Sequence, residues 1–296
     1  MVSLTVFTPT YNRADLLPVA YHALKNQTSK DFLWMIIDDG STDDTEKIVR
    51  EWIDTEKDFE IRYYKKENGG LHTGYNKAIE MADTELMVCI DSDDYMPENA
   101  VERILTIWRE KGSSKVAGLI GLDVDEQGNP ISGLFPDVKT FNLIKRVFGE
   151  YDFKSGDTKL VVRTELYKSV APMPVFKGEK NFNPQLMHLK ISLNYDFIPV
   201  NEAFCVVNYQ DTGMTSGILK QFYNSPNSFA EYRKFQLSIP NSPLKFRLRY
   251  STHYVSSCIL AHKKHFVADS PRKFSTVLSL APGFLLSRYI KYKNKG

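Results

Sequence analysis

At 296 residues, 42% hydrophobic and 25% charged, the chain has an ordinary globular composition and ample length for one large core or two smaller ones. No stretch approaches the roughly eighteen uninterrupted apolar residues of a spanning helix. The start, MVSLTVFTPTYN, lacks the basic-then-apolar pattern of a signal peptide, and the scattered cysteines Cys89, Cys205 and Cys258 have no ligand-like spacing, so structural zinc is excluded and a reducing cytoplasm is expected. The net charge of +2 is uneven: eleven Lys or Arg against Asp269 alone give Leu244–Gly296 a surplus of +10, while the rest of the chain stands at −8. Such asymmetry points to a tail that meets something anionic.

The first 125 residues alternate between two patterns. Leu4–Thr8, Leu33–Ile37, Ile61–Tyr64, Leu86–Ile90 and Val116–Leu122 are short apolar or β-rich runs, and Ala14–Asn26, Asp43–Trp52, Thr73–Met81 and Pro97–Lys111 between them have helical spacing. Ser41-Thr42-Asp43-Asp44 and Pro97-Glu98 supply helix starts. Strands alternating with helices imply a mostly parallel sheet flanked by helices, with ligands at the carboxyl ends of its strands. Asp125–Gly133 reads as a turn or short hairpin; beyond it Lys159–Arg163 and Ala203–Tyr209 read as strands, and Gln185–Leu193, Phe229–Leu237 and Phe246–His265 as helices.

The strand-end rule gathers four polar clusters around one crevice. Pro9-Thr10-Tyr11-Asn12-Arg13, Asp38-Asp39-Gly40-Ser41, Asn68-Gly69-Gly70 and Asp91-Ser92-Asp93-Asp94 follow the first four strands in turn. The last cluster packs three carboxylates into four positions, where like charges raise one another's pKa unless a cation or hydrogen-bond donors intervene. Read locally, it is a solvated acidic loop capping the helix near Pro97. Beside a nucleotide diphosphate, the same carboxylates need a hard divalent cation between the negative groups, since Mg²⁺ or Mn²⁺ takes oxygen ligands and bridges carboxylates to phosphates.

The set TPTYNR, IIDDGSTDDT, NGGLHTGYNKAIEMA and CIDSDDYMPENA resembles the family 2 inverting glycosyltransferases of GT-A fold, in order and spacing over residues 3–125 and more loosely to about residue 216. The resemblance implies an α/β architecture in three parts: a Rossmann-like nucleotide-sugar-binding half (1–125), an acceptor-binding half (126–217) and a helical, basic C-terminal extension (218–296). It implies transfer of a sugar, with inversion, from a nucleotide-diphosphate donor to an acceptor hydroxyl in bacterial-type surface polysaccharide or glycolipid assembly. Asp91-Ser92-Asp93 takes the place of the family's DxD pattern, with Asp91 near the ribose or a metal water and Asp93 on Mn²⁺ or Mg²⁺. Asp94 is carried as a second catalytic carboxylate or as a helix cap. Asp39 corresponds to the carboxylate that accepts the uracil N3–H, Tyr11 would pack on the base, and the Thr8–Arg13 loop, with Pro9 and Arg13, would embrace the nucleoside beside Asp38. UDP is therefore favoured, with dTDP next. Gly70 allows close backbone approach to a ligand, and Lys77 either neutralises a phosphate or sits on the surface.

On the acceptor side, Gly178–Gln185 corresponds to the stretch that carries the family's catalytic base. Gln185 stands where a carboxylate is expected and cannot take a proton near neutral pH, which makes Glu179 the expected base, with a surface charge between Lys177 and Lys180 as the alternative. Asp211, in a loop resembling one that closes over the diphosphate, is a further candidate metal ligand. Two other functions fit less of the chain. A nucleotidyltransferase usually has a glycine-rich phosphate loop after the first strand, where this chain has PTYNR. A non-catalytic sugar- or polymer-binding relative is kept in view by Gln185. The tail has no nucleic-acid motif, so the expected partner is an anionic membrane surface, approached from the cytoplasmic side by a peripheral protein that meets glycan or lipid-linked acceptors.

Overall fold

The computed structural model describes residues 2–208 and 217–294. The chain divides into two compact units, one of residues 1–172 and 187–210 and the other of residues 173–186 and 211–296.

The first unit is built on a seven-stranded sheet. Its strands are β1 (Leu4–Thr10), β2 (Phe32–Asp38), β3 (Glu60–Lys65), β4 (Leu86–Cys89), β5 (Val116–Val124), β6 (Thr158–Arg163) and β7 (Asp196–Val206). Every residue of β1 and β2 is buried, as required of apolar strands covered on both faces. The covering helices α1 (Leu17–Lys25), α2 (Thr45–Thr55), α3 (Leu71–Met81) and α4 (Ala100–Lys111) each follow one of the first four strands. Trp34, Ile36, Val88, Ile104, Leu119, Val161 and Phe204 belong to the core they enclose. Shorter helices α5 (Leu143–Phe148) and α6 (Thr164–Val170) flank β6, and α7 (Gln185–Ser192) precedes β7.

The strand order is β3-β2-β1-β4-β6-β5-β7. Only β6 runs antiparallel to its neighbours, so six strands present their carboxyl ends, and β6 its amino end, at one edge of the sheet. The chain winds outward from β1 through β2 to β3, then returns to place β4 on the other side of β1. That reversal makes the β1/β4 boundary the switch point at which α/β sheets bind ligands.

The second unit is helical: α8 (Ile218–Asn224), α9 (Pro226–Ser238), α10 (Leu244–Leu260), α11 (Lys273–Leu278) and α12 (Leu280–Lys293). Ala230, Leu237, Tyr254 and Cys258 form its core, with Tyr250 and Phe266 against them. Gly283 lets α12 close on α10: a Cβ there would lie 2.6 Å from the Val255 side chain.

Two expected boundaries move for identifiable reasons. β7 begins at Asp196, not Ala203, because Pro199 and register shifts against β5 break its apolar pattern. α10 ends at Leu260, short of His265: His262 adopts a positive φ of 55°, and Lys263 N–H closes onto the Cys258 carbonyl at 2.9 Å, the left-handed helix ending.

Candidate active site

The loops after β1 and β2 are stitched together before any ligand arrives. Asn12 takes a left-handed turn, φ 52°, which an asparagine tolerates. Its N–H donates to Ser41 Oγ at 2.8 Å, and its side-chain carbonyl accepts the Thr42 N–H at 2.8 Å. Tyr11 beside it is about half exposed, in position for stacking. Thr8 is fully buried and accepts the Trp34 indole N–H at 3.0 Å, a packing role that leaves Thr8 and Pro9 to shape the loop through the backbone.

Asp38 is committed to the scaffold. One oxygen accepts the Ser41 N–H at 2.7 Å and the other accepts the Tyr63 hydroxyl, whose pKa is raised by burial and by this carboxylate. Asp39 pins the glycine turn after β3, accepting the N–H groups of Gly69 and Gly70 at 2.9 and 2.7 Å and pairing with the Lys66 ammonium. Gly70, at φ 92°, occupies a backbone state closed to most side chains and starts α3. The loops after β1, β2 and β3 thus form one hydrogen-bonded rim. Lys77 lies on α3 and pairs with Glu80 at 3.2 Å.

At the switch point, Arg13 Nη1 lies 3.7 Å from Asp93 Oδ2. Asp93 is partly exposed, Asp91 is exposed beside it, and Ser92 between them is buried. Asp94 turns inward and does not cap α4: it accepts the Asn208 N–H at 3.1 Å and lies 3.9 Å from the Cys205 thiol. Burial raises its pKa to about 7, with Asp91 and Asp93 adding to the rise and Lys159 opposing it.

Two residues here escaped the sequence reading. Asp123, at the carboxyl end of β5, and Lys159, at the amino end of β6, face one another with Oδ1 and Nζ 3.6 Å apart, and Lys159 Nζ is also 4.0 Å from Asp94 Oδ2. Burial raises the Asp123 pKa to about 6 against the pull of Lys159. Burial alone would lower the Lys159 pKa, but Asp123 and its other neighbours, Asp91 and Asp94 among them, lift it well above the ordinary value. The signal available in the sequence was an aspartate closing the apolar run VAGLIGLDV and a lysine opening KLVVR.

A divalent cation fits the β4 loop in a limited sense. Among the described residues no three His, Cys, Asp or Glu side chains converge as a closed metal site. Asp91 and Asp93 offer hard oxygen donors in one loop, suited to an ion that takes its other ligands from a diphosphate and water. Asp211 lies outside the described residues.

A family model described as Glycosyl transferase family 2 matches residues 5–167, more than half of the chain and all four strand-end clusters. The chain belongs to glycosyl transferase family 2. Over 262 residues it is 24% identical to the poly(ribitol-phosphate) β-N-acetylglucosaminyltransferase TarP of Staphylococcus aureus (strain N315), covering 80% of this chain and 77% of TarP. The structure of S. aureus TarS 1–349 in complex with UDP-GlcNAc superposes with a TM-score of 0.59 at 18% identity, covering 98% of this chain and 91% of TarS 1–349. The mannosyltransferase PcManGT of Pyrobaculum calidifontis, in complex with GDP-Man and Mn²⁺, gives 0.59 at 15% identity, covering 99% and 88%. These likenesses establish the GT-A fold. Two further curated relatives match at 30% identity over 129 and 108 residues, and the chain spans only 18% and 42% of their lengths.

On the acceptor side, the expected base Glu179 and the uncharged Gln185 are both hydrogen-bonded to α9. Glu179 is buried in the second unit and accepts four hydrogen bonds at the start of α9: from Asn227 N–H (2.8 Å), Asn227 Nδ2 (2.9 Å), Ser228 N–H (2.7 Å) and Ser228 Oγ (2.6 Å). It is an anionic cap for a helix N-terminus supplied from elsewhere in the chain. It is therefore not a surface charge. Gln185 opens α7 and accepts the Tyr232 hydroxyl.

The shifts of Asp94 and Asp123 set a pH dependence. Both carboxyls have folded-state pKa values raised above the ordinary value of 3.8, so the stability they contribute is present below about pH 4 and is lost as pH rises through about 6 to 7. In metal-free buffer, Tm measured by circular dichroism should fall between about pH 4 and 7, and Asp123→Asn, which cannot ionise, should flatten that fall. An equal or steeper fall in the variant would show that Asp123 ionises without cost.

Proposed function

We propose that this family 2 member transfers a sugar from a nucleotide-diphosphate donor, UDP-sugar favoured, to an acceptor hydroxyl with inversion, aided by Mn²⁺ or Mg²⁺. The observation that carries the reading is the convergence at the β1/β4 switch point of the Arg13 loop, the Asp39-pinned glycine turn and the Asp91–Asp93 carboxylates. Tyr11 offers a face for the base, Asp39 would present Oδ2, which accepts only the Gly70 N–H, to an N–H donor, and Arg13 supplies a cation for the diphosphate. Asp38 supports the rim from beneath. Asp91 and Asp93 would hold the cation, which when bound stabilises charge on the departing diphosphate. TarS bound to UDP-GlcNAc and PcManGT bound to GDP-Man and Mn²⁺ support a nucleotide-sugar donor and a divalent cation.

The test is calorimetric titration of UDP with and without Mn²⁺. Asp93→Asn should remove the metal-dependent part of UDP affinity, by at least about tenfold given a bridging carboxylate, while the metal-free Tm is unchanged or raised as like-charge repulsion is relieved. Full Mn²⁺-dependent binding in the variant would refute the bridging role.

We assign the proton acceptor to Asp94 in preference to Glu179. Asp94 shares the β4 loop with the donor-side carboxylates, whereas the oxygens of Glu179 are saturated by the start of α9. Asp94→Asn should lower turnover by about 10²-fold or more, as for loss of a general base, a loss well beyond any change in donor Kd. Glu179→Gln should chiefly lower Tm, since capping contributes about 0.5–2 kcal/mol. A larger turnover loss in Glu179→Gln than in Asp94→Asn would reverse the assignment.

The acceptor is proposed to be a glycan or lipid-linked sugar reached at the cytoplasmic face of an anionic membrane. No helix among the described residues is long and apolar enough to cross a membrane. In the second unit, however, Phe274, Leu278, Phe284, Leu285 and Tyr292 are each more than half exposed, interleaved with Lys273, Arg288, Lys291 and Lys293. Such a surface suits an interfacial helix, and each basic residue near an anionic bilayer contributes roughly 1 kcal/mol. Phe246 and Tyr254 of α10, by contrast, belong to the interior. Full-length protein should sediment with vesicles containing anionic lipid at low salt and be released at high salt, whereas Phe284→Glu/Leu285→Glu should stay in the supernatant. Equal sedimentation of the two, or none, would end the membrane reading.

A further inference from the structure

We propose that Lys159 is a resident counter-cation of the acidic site, a positioning residue that, paired with Asp123, sets how tightly the Asp91–Asp94 loop holds a divalent cation and a diphosphate. The inference deepens the proposed donor reading and rests on it.

The register carries the argument. Lys159 pairs with Gly121 of β5, and two residues further along β6 Val161 pairs with Val88 of β4. Because β6 runs against both neighbours, its first residues stand beside the last residues of β4 and β5, where Asp91, Asp94 and Asp123 lie. The Lys159 side chain is 11% exposed and carries its ammonium 3.6 Å from Asp123 Oδ1 and 4.0 Å from Asp94 Oδ2. Asp123 Oδ1 is buried without any hydrogen-bond partner, so this ammonium is its compensating charge. A buried ion pair whose carboxylate lacks other donors is a weak stabiliser of a fold. Its consequence lies in the field at the strand ends. Lys159 subtracts one negative charge from the cluster that would hold a dication, and adds one positive charge where a diphosphate would lie.

The signs of these effects differ from those of a structural role. A merely structural lysine, once removed, loosens the site and weakens every ligand. A counter-cation, once removed, strengthens the hold on a metal ion and weakens the hold on a diphosphate. At an effective dielectric constant near 20, one buried charge several ångströms away alters either affinity by about fivefold or more.

The experiment titrates Mn²⁺ alone and UDP alone into the full chain and four variants. Lys159→Met should bind Mn²⁺ at least about fivefold more tightly and UDP at least about fivefold more weakly than wild type, and Lys159→Arg should keep both affinities within about twofold. Should Lys159→Met fail to fold, the reading passes to Asp123→Asn and to the double variant Lys159→Met/Asp123→Asn, in which both charges are gone. Asp123→Asn alone should weaken Mn²⁺ by about fivefold, and removing Lys159 as well should restore it. A double variant that binds Mn²⁺ no better than Asp123→Asn would overturn the inference. If wild type binds no Mn²⁺ with or without UDP, the metal reading fails while Lys159 is still judged on UDP: Asp123→Asn should tighten UDP and the double variant should return it to the wild-type value. UDP affinity indifferent to the charge at position 159 would overturn the inference on that branch.

Discussion

Asp91, Asp93, Asp94 and Asp123 bring four carboxylates to one end of a sheet, where two like charges about 6 Å apart repel by roughly 3 kcal/mol at an effective dielectric constant of 20. The topology concentrates them. Six strands end at the same edge, and any residue that follows a strand joins the others there, whatever the distance along the chain. The protein answers with several kinds of compensation. Backbone N–H groups bind Asp39 and Asp94, a neutral hydroxyl binds Asp38, a guanidinium approaches Asp93, and a buried ammonium faces Asp94 and Asp123. Asp91 and Asp93 receive the least from the protein itself, and they are also the more open to solvent. Under the proposed function, these two are the carboxylates that a cation brought by a ligand would neutralise.

Much of this is legible in the sequence because the β1–β4 half obeys one rule four times. Apolar runs buried on both faces, helical spacing between them and polar residues at each strand end are local signals, and every strand and helix expected in the first 125 residues is present. The remainder is harder for physical reasons. β7 is interrupted by Pro199 and by register shifts, and α12 scatters its apolar residues around the helix, so neither has a clean period. Asp123 and Lys159 were hidden for another reason. Each sits singly at the end of an apolar strand, and only the antiparallel insertion of β6 between β4 and β5 brings them together. No local pattern encodes that pairing.

Glu179 illustrates how a charge in the right motif can be put to another use. A helix exposes unpaired N–H groups at its first turn, and α9 begins Pro226-Asn227-Ser228, with no side-chain cap from its own Ser225. Glu179 fills that vacancy from a distant loop, binding two backbone N–H groups and both neighbouring side chains. Gln185, neutral, accepts the Tyr232 hydroxyl. Both residues fall in the stretch where family resemblance expects a base, and both carry hydrogen bonds to α9.

The two cations near the acidic loop differ in what they permit. Arg13 belongs to the turn after β1, is about one-third exposed and lies 3.7 Å from Asp93 with no shorter bond between them. Exposed pairs of that kind are worth about 0–1 kcal/mol, so in the proposed reading a dication would displace Arg13 from Asp93 at little cost. Lys159 is fixed by a strand on either side and by buried carboxylates it cannot leave without stranding their charge. One counter-charge is therefore exchangeable and the other permanent. In the proposed reading the exchangeable one would turn to the ligand, and the permanent one would set the balance between attracting a metal ion and admitting the anion that accompanies it.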